Sequence, residues 1–214
     1  MKPIKPKLPK TLTVANANEL LGDDTTIEAV CISKQSLVGI ENTALSVKDS
    51  KFEQVRVLNT ELKNASLLDV HFDKSDFSSV KLASLSAHRT VFSHCRLSGL
   101  QIYESNLKDV KFLDCKLDLS NFRFSKLERV EFVDCVLSEA DFSNCKFSSV
   151  VFTRCDLVKA DFSLATIKSL DLRSSNIAGL NGLLKLSGAT ISNTQLITIA
   201  PNLAAEIGFL LKLD

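Results

Sequence analysis

Apolar side chains return at every fifth position along most of this chain. From Ile27 the series runs Ile32, Leu37, Val47, Phe52, Val57, Leu62, Leu67, Phe72 and Phe77, and it continues in fives to Leu172 and Ile177. Asn42 is its one polar member. A helix repeats its apolar face at about 3.6 residues and a half-buried strand at 2.0, so neither period generates a run of fives. A second phase, two residues ahead of the first, carries compact side chains: Ala65, Val70, Ser75, Cys95, Ser105, Cys115, Ser120, Ala140, Cys145 and Ala160. Leu85, Leu100 and Leu170 are the bulkier exceptions. No proline lies between Lys10 and Ala200, so nothing there interrupts a regular backbone.

Like residues also recur at twenty. Phe52, Phe72, Phe92, Phe112, Phe132 and Phe152 form one column; Leu97, Leu117, Leu137 and Leu157 belong to the next; Phe122, Phe142 and Phe162 belong to a third. A chain that coils once in twenty residues places each of these on its own copy about 4.8 Å away, the spacing of hydrogen-bonded strands. Seven to eight such coils make a rod about 35–40 Å long. The expected architecture is an all-β solenoid whose inward residues share one apolar core, with binding left to the outward ones.

The triplets Ala140-Asp141-Phe142 and Ala160-Asp161-Phe162 read small, Asp, aromatic; Ser75-Asp76-Phe77, Ser105-Asn106-Leu107 and Ser120-Asn121-Phe122 vary that theme. Over residues 25–180 the chain thereby resembles the pentapeptide-repeat family, whose consensus is A-(D/N)-(L/F)-X-X. The resemblance implies a right-handed quadrilateral parallel β-helix, with four pentapeptides per coil and one on each face. It implies a non-enzymatic, bacterial binding or scaffold protein. Its specialised branch, similar to quinolone-resistance proteins, mimics duplex DNA and binds type II topoisomerases such as gyrase. Those relatives present acidic faces and some carry projecting loops, whereas this chain is near neutral and has no insertion between Val47 and Ile177. Many relatives dimerise through the C-terminal end.

Three segments are expected: an N-terminal arm and cap over 1–24, the β-helix over 25–180, and a last coil with a short C-terminal helical cap over 181–214. The opening Met1–Lys10 holds four lysines and three prolines and reads as a frayed basic arm. Asn16 to Gly22 suits a short capping turn or helix. Leu186, Ile191 and Leu196, with Leu184, Ala189 and Thr194 two residues ahead, restart the five-step after the register slips. Ser192 and Gln195 have capping-box spacing, and Pro201 suits the first turn of a final helix reaching Leu211. Leu203, Ile207, Leu210 and Leu211 then form one apolar face, either a lid on the last coil or a homodimer contact.

Charge and candidate chemistry narrow the function. Lys plus Arg number 26 against 25 Asp plus Glu, which argues against binding nucleic acid by phosphate neutralisation. No apolar run approaches the length of a membrane span, and the opening does not read as a signal peptide. With six cysteines that suggests a reducing, cytoplasmic setting. Cys95, Cys115, Cys135 and Cys155 stand twenty apart, so they stack as a ladder and cannot converge on a metal. His71, His88 and His94 are outward and unpaired, and no nucleophile–base constellation or glycine-rich phosphate loop is present. No cofactor, metal or catalytic residue is therefore assigned, and the partner is expected to be a protein. Two sets of outward residues are candidates for it. Arg89, Lys108, Lys126 and Arg129 form a mildly positive stripe with His88, Lys146 and Lys168 on the face built on Leu107 and Leu127. Tyr103, Arg123 and Phe124 place aromatics beside an arginine on another face, a combination common at interface anchors.

Overall fold

The computed structural model describes residues 2–16 and 26–210. It is a right-handed parallel β-solenoid of about 8 turns with a single C-terminal helix. The longest strands, Ser46–Glu53, Ser66–Asp73, Ser86–Ser93, Asn106–Leu113 and Lys126–Val133, lie side by side in parallel and wrap two faces of each coil. The other two faces hold shorter strands such as Arg56–Leu58 and Lys81–Ala83, or single bridges. Hydrogen bonding from coil to coil persists even there, as in Leu97 N–H to the Lys116 carbonyl at 2.7 Å and Phe122 N–H to that of Asp141 at 2.8 Å. Inward residues can therefore be wholly apolar while every coil is satisfied by its neighbours.

The register is the twenty-residue repeat. Phe52, Phe72, Phe92, Phe112, Phe132 and Phe152 are successive partners in the ladder. Ring centroids from Phe92 to Phe152 are 5.0, 4.8 and 4.6 Å apart, with planes within 7° of parallel. Phe122, Phe142 and Phe162 form a second stack on the opposite wall and meet the first edge-on, as Phe112 meets Phe122 at 6.3 Å and 89°. Both geometries are the favourable ones for aromatic quadrupoles. Nearer the N-terminus the facing positions are the smaller Leu62 and Leu82, and a cavity of about 70 Å³ remains among Ile27, Val57, Leu67 and Phe77.

The cysteine ladder lies where the repeat puts it. Cys95, Cys115, Cys135, Cys155 and Cys145 are buried free thiols. Each reaches a carbonyl of the coil before, as Cys135 Sγ does that of Phe112 at 3.5 Å. Burial pushes Cys145 up to about 12, so its thiol stays protonated. Ser120 occupies the compact inner position taken by Ala140 and Ala160 in later coils, and its buried hydroxyl finds no partner among the described residues. Ser120→Ala should raise stability by about 1 kcal/mol, because an unpaired buried hydroxyl is costly and alanine fits that column. A urea denaturation midpoint unchanged or lowered in that variant contradicts this.

The ends depart from expectation. The arm is not frayed. Thr13–Val14 pairs in parallel with Val30 and Cys31, and Ile4 and Lys7 are held against the rod. The proposed cap over Asn16 to Gly22 lies, except for Asn16, outside the described residues. At the C-terminus Ser192 does cap a helix: Gln195 N–H donates to its hydroxyl at 3.2 Å, and its own N–H donates to the Gln195 side chain at 2.8 Å. That helix is Asn193–Glu206, so Pro201 sits inside it rather than in its first turn. The capping box starts one helix eight residues earlier, and the apolar packing of Ile199 and Leu203 onto the last coil offsets the amide that proline lacks. Buried Gln195 donates to the carbonyls of Leu172 and Ser175 at 2.6 Å, tying the helix to the coil below. The restarted five-step holds only in part: Leu186, Ala189 and Ile191 pack against the core, whereas Leu184, Thr194 and Leu196 are exposed. Leu183 is buried in a short 3-10 turn while Leu184 is exposed, because Gly182, at φ 76° and pressed on Phe162 and Ser163, redirects the chain.

Candidate interaction faces

Corners decide what points outward. From Ile27 to Phe162 the residue two past an inward apolar one takes a left-handed conformation: Asn59 φ 48°, Asn64 54°, Asp69 56°, Asp109 55°, Leu119 58°, Phe124 61° and Leu164 59°. Asn, Asp and Gly tolerate that region with little strain, whereas bulky side chains do not. An apolar residue at such a corner is there against local preference.

On the face of Leu107 and Leu127 the corner column reads Asp69, Arg89, Asp109, Arg129 at successive coils. Arg89 Nε donates to Asp69 Oδ1 at 2.7 Å and its Nη2 to Oδ2; Arg129 clasps Asp109 through both oxygens at 2.7 Å. Arg129 also pairs with Glu128, and Lys108 lies 3.4 Å from Glu128. Four of the residues expected to form a positive stripe are thus Arg89, Lys108 and Arg129, spent in ion pairs, and Lys126, which is exposed and for which no ion pair is seen among the described residues. Pairing between adjacent coils neutralises the expected stripe at Arg89, Lys108 and Arg129, and its positive charge is left to Lys126, Lys146 and Lys168.

The same carboxylates hold the arm. Ile4 N–H donates to Asp109 Oδ1 at 3.1 Å and Lys7 N–H to Asp69 Oδ1 at 2.8 Å. Pro3, Pro6 and Pro9 recur every third residue, as in polyproline II, where three residues advance about 9 Å. Asp69 and Asp109 are two coils apart, about 9.6 Å. One turn of the arm therefore matches two coils. The Asp109 side chain is 0% exposed and that of Asp69 5%. The Arg89 guanidinium holds Asp69 below the usual carboxylate range, against burial, and the Lys7 amide assists. Arg129 and Ile4 do the same for Asp109.

Two histidines judged separate are joined. His71 Nε2 lies 2.8 Å from Ser93 Oγ, that hydroxyl donates to Asp73 Oδ1 at 2.7 Å, and His94 Nδ1 stands 3.0 Å from the same oxygen. Strand pairing puts Asp73 beside Ser93 and so closes the gap that pentapeptide position alone left between the two rings. The composition is that of a catalytic triad, but the connectivity is not. The one proton of Ser93 goes to Asp73, so His71 acts as donor to the hydroxyl instead of as its base. Burial lowers the His71 pKa and favours the neutral ring. Burial opposes ionisation of Asp73, but hydrogen bonds from His94 and Ser93 prevail and hold it below its ordinary value.

On the face of Ile102 and Phe122, Tyr103 and Arg123 occupy one column in adjacent coils, the Glu104 N–H reaching the Arg123 carbonyl at 2.8 Å. The Arg123 guanidinium lies over the Phe124 ring, 5.3 Å from its centroid. Phe124 is 52% exposed, and Leu164, two coils on in the same column, 63%. These three predicted residues are brought together. The apolar C-terminal face is not: Leu203 packs on the core, Ile207 and Leu210 lie exposed beyond the helix, and Leu211 is outside the described residues. Glu206 instead accepts the N–H groups of Leu183 and Leu184, both at 3.1 Å, which ends the helix over the last coil as a lid.

A family model described as pentapeptide repeat region matches residues 65–132 and 114–181, together more than half of the 214-residue chain. No curated protein matches the sequence. Among solved structures, HetL, a pentapeptide repeat protein involved in heterocyst differentiation regulation in the cyanobacterium Nostoc sp. strain PCC 7120, is 14% identical at a TM-score of 0.41, covering 83% of this chain and 93% of that one. QnrB1, a plasmid-mediated fluoroquinolone resistance protein, is 17% identical at 0.36, covering 84% and 100%. Rfr23 from the cyanobacterium Cyanothece 51142 is 12% identical at 0.32, covering 62% and 86%.

Proposed function

Because the chain belongs to the pentapeptide-repeat family, we propose that it is a non-enzymatic scaffold that binds a protein partner through the outer faces of its rod. The observation that carries this reading is Phe124. It is exposed, held in a conformation that disfavours bulky side chains, and covered on one side by Arg123. Aromatic and arginine side chains dominate interface energetics, and Tyr103 one coil away extends the same patch. The inward columns support the reading from the other side, since their side chains are consumed in packing. Free thiols fit a reducing, cytoplasmic setting.

The topoisomerase-directed alternative calls for an acidic face that imitates DNA. Asp69 and Asp109 are covered by arginines and by the arm, which weighs against it. The test is retention of proteins from a lysate on the tagged rod, with Arg123→Glu/Phe124→Asp alongside and purified gyrase in a supercoiling assay. The expected result is one protein retained by the wild type and weakened about tenfold or more by the double variant, with melting unchanged and gyrase unaffected. Equal retention by the variant removes this face from the account, and inhibition of gyrase restores the alternative. Light scattering on the same sample reads the homodimeric contact that exposed Ile207 and Leu210 leave open; a monomer ends it.

A further inference from the structure

Five of the seven arginines are paired with carboxylates. Arg89 holds Asp69, Arg129 holds Asp109, Arg154 holds Asp134 at 2.6 Å, Arg173 holds Asp171 at 2.7 Å and Arg123 lies 3.6 Å from Asp141. Arg56 and Arg96 are the other two, and among the described residues neither meets a carboxylate. Both are exposed, and both line one cleft of about 360 Å³ where the face of Phe72 and Phe92 turns into that of Phe77 and Leu97. Coil-to-coil bridges order the column as Arg56, Asp76, Arg96, Lys116. Lys74 and His94 stand beside it in the lining, and Lys74 and Lys116 are likewise exposed and without an ion pair among the described residues. Among the described residues Asp76 is the only carboxylate in the lining, and its Oδ1 already accepts the Ser78 N–H at 3.1 Å and hydroxyl at 2.7 Å. The cleft is a site of uncompensated positive charge on a chain that elsewhere pairs its arginines.

Resting on the scaffold reading above, we propose that this cleft binds an extended acidic segment of the protein partner, with carboxylates three residues apart meeting Arg56 and Arg96. The spacing argues for it. Arg56 and Arg96 are two coils apart, about 9.6 Å, and three residues of extended chain span about 10 Å. The cations are spread along the rod over a length that one phosphate group does not reach. The molecule displays the same spacing elsewhere: backbone N–H groups three residues apart in the arm, those of Ile4 and Lys7, meet Asp109 and Asp69 two coils apart. Guanidinium forks suit carboxylates in two-point contact. A second cationic cleft, lined by Lys126, Lys146 and Lys168, offers only hydrated point charges, which recognise carboxylates less selectively.

Fluorescence anisotropy on the full chain tests this, with a labelled peptide of repeating Asp-Ser-Gly units, its Asn-Ser-Gly counterpart, and a peptide carrying a single phosphoserine. The expected result is binding of the Asp peptide alone, weakened about tenfold or more by Arg56→Glu/Arg96→Glu and weakening with added salt. Lys146→Glu/Lys168→Glu, the same change of charge elsewhere, should leave it intact, and circular dichroism checks that both variants fold. No binding, equal binding of the Asn peptide, equal loss in the lysine variant, or binding of the phosphopeptide alone each overturns the proposal. If the Asp peptide fails while a partner is still captured through Phe124, the cleft falls and the scaffold reading stands. If the peptide binds but no partner is ever captured, the scaffold reading falls instead.

Discussion

Phe112→Asp should unfold the rod. Phe112 is 0% exposed, sandwiched between Phe92 at 5.0 Å and Phe132 at 4.8 Å, with Phe122 against its edge. Truncating a buried phenylalanine to alanine costs about 3–5 kcal/mol. Aspartate adds a carboxylate with no donor in an apolar column, and either that charge or its protonation adds several kcal/mol more. A whole domain is commonly stable by only about 5–15 kcal/mol. The position matters as well, because coils contact only their neighbours, and a break in the middle removes the support of both halves. Circular dichroism and thermal melting read the outcome. A soluble, β-rich variant with wild-type melting contradicts the register of the whole solenoid. Phe112→Leu, which copies the residue type of the adjacent Leu97–Leu157 column, should retain the fold with a lowered melting temperature.

Asp109→Ala is the second large effect, and it acts in two places. It removes the acceptor for both guanidinium contacts of Arg129 at 2.7 Å, for the Ile4 amide, and for His88 Nε2 at 3.4 Å. Breaking a buried ion pair from one side costs about 3–5 kcal/mol. The lower end applies, because Arg129 is still 18% exposed and keeps Glu128. The arm should loosen at the same time, and trypsin reports it: cleavage after Lys7 and Lys10 accelerates, while the Lys2–Pro3 and Lys5–Pro6 bonds resist. An unchanged digestion pattern and melting temperature contradict the clasp. The pH dependence has a defined sign. Asp69 and Asp109 have folded pKa values below their ordinary ones. Their contribution is therefore complete above about pH 4–5, where the unfolded carboxylates are also ionised, and is lost as pH falls through the folded values. The arm should stay clasped from pH 7 to pH 5 and release only in stronger acid.

The columns were readable from the chain because inward side chains in a solenoid answer to one rule. Phe52 through Phe152, the thiols from Cys95 to Cys155 and the Ser192–Gln195 box stand where a period of twenty and local capping chemistry put them. The outward residues answer to neighbours one or two coils away, and there the reading by faces fell short. Asp69 and Arg89 look like scattered surface charges until the coil places them in contact; the same twenty-residue offset, applied to charges, picks out Asp109 with Arg129 and Asp134 with Arg154. Docking of the arm also had a signal, since prolines three apart advance by nearly two coils. Pro201 misled because a proline suits a helix start, yet the capping box eight residues earlier and the apolar seat of Ile199 and Leu203 outweighed it. Arg56 and Arg96 were missed because an unpaired charge becomes visible only when the others are seen paired.

The central claim is that the rod keeps its inward columns for packing and uses outer columns, two coils at a time, to hold extended chain. Amide hydrogen exchange resolved by residue on the full chain tests this most directly, because the arm is the case already in place. Amides of Asn106–Leu113 and Lys126–Val133 should exchange slowest, and those of Ile4 and Lys7 should be protected well above that of Lys5 between them. Ile4 and Lys7 exchanging at free-chain rates, beside coils that remain protected, would contradict the account.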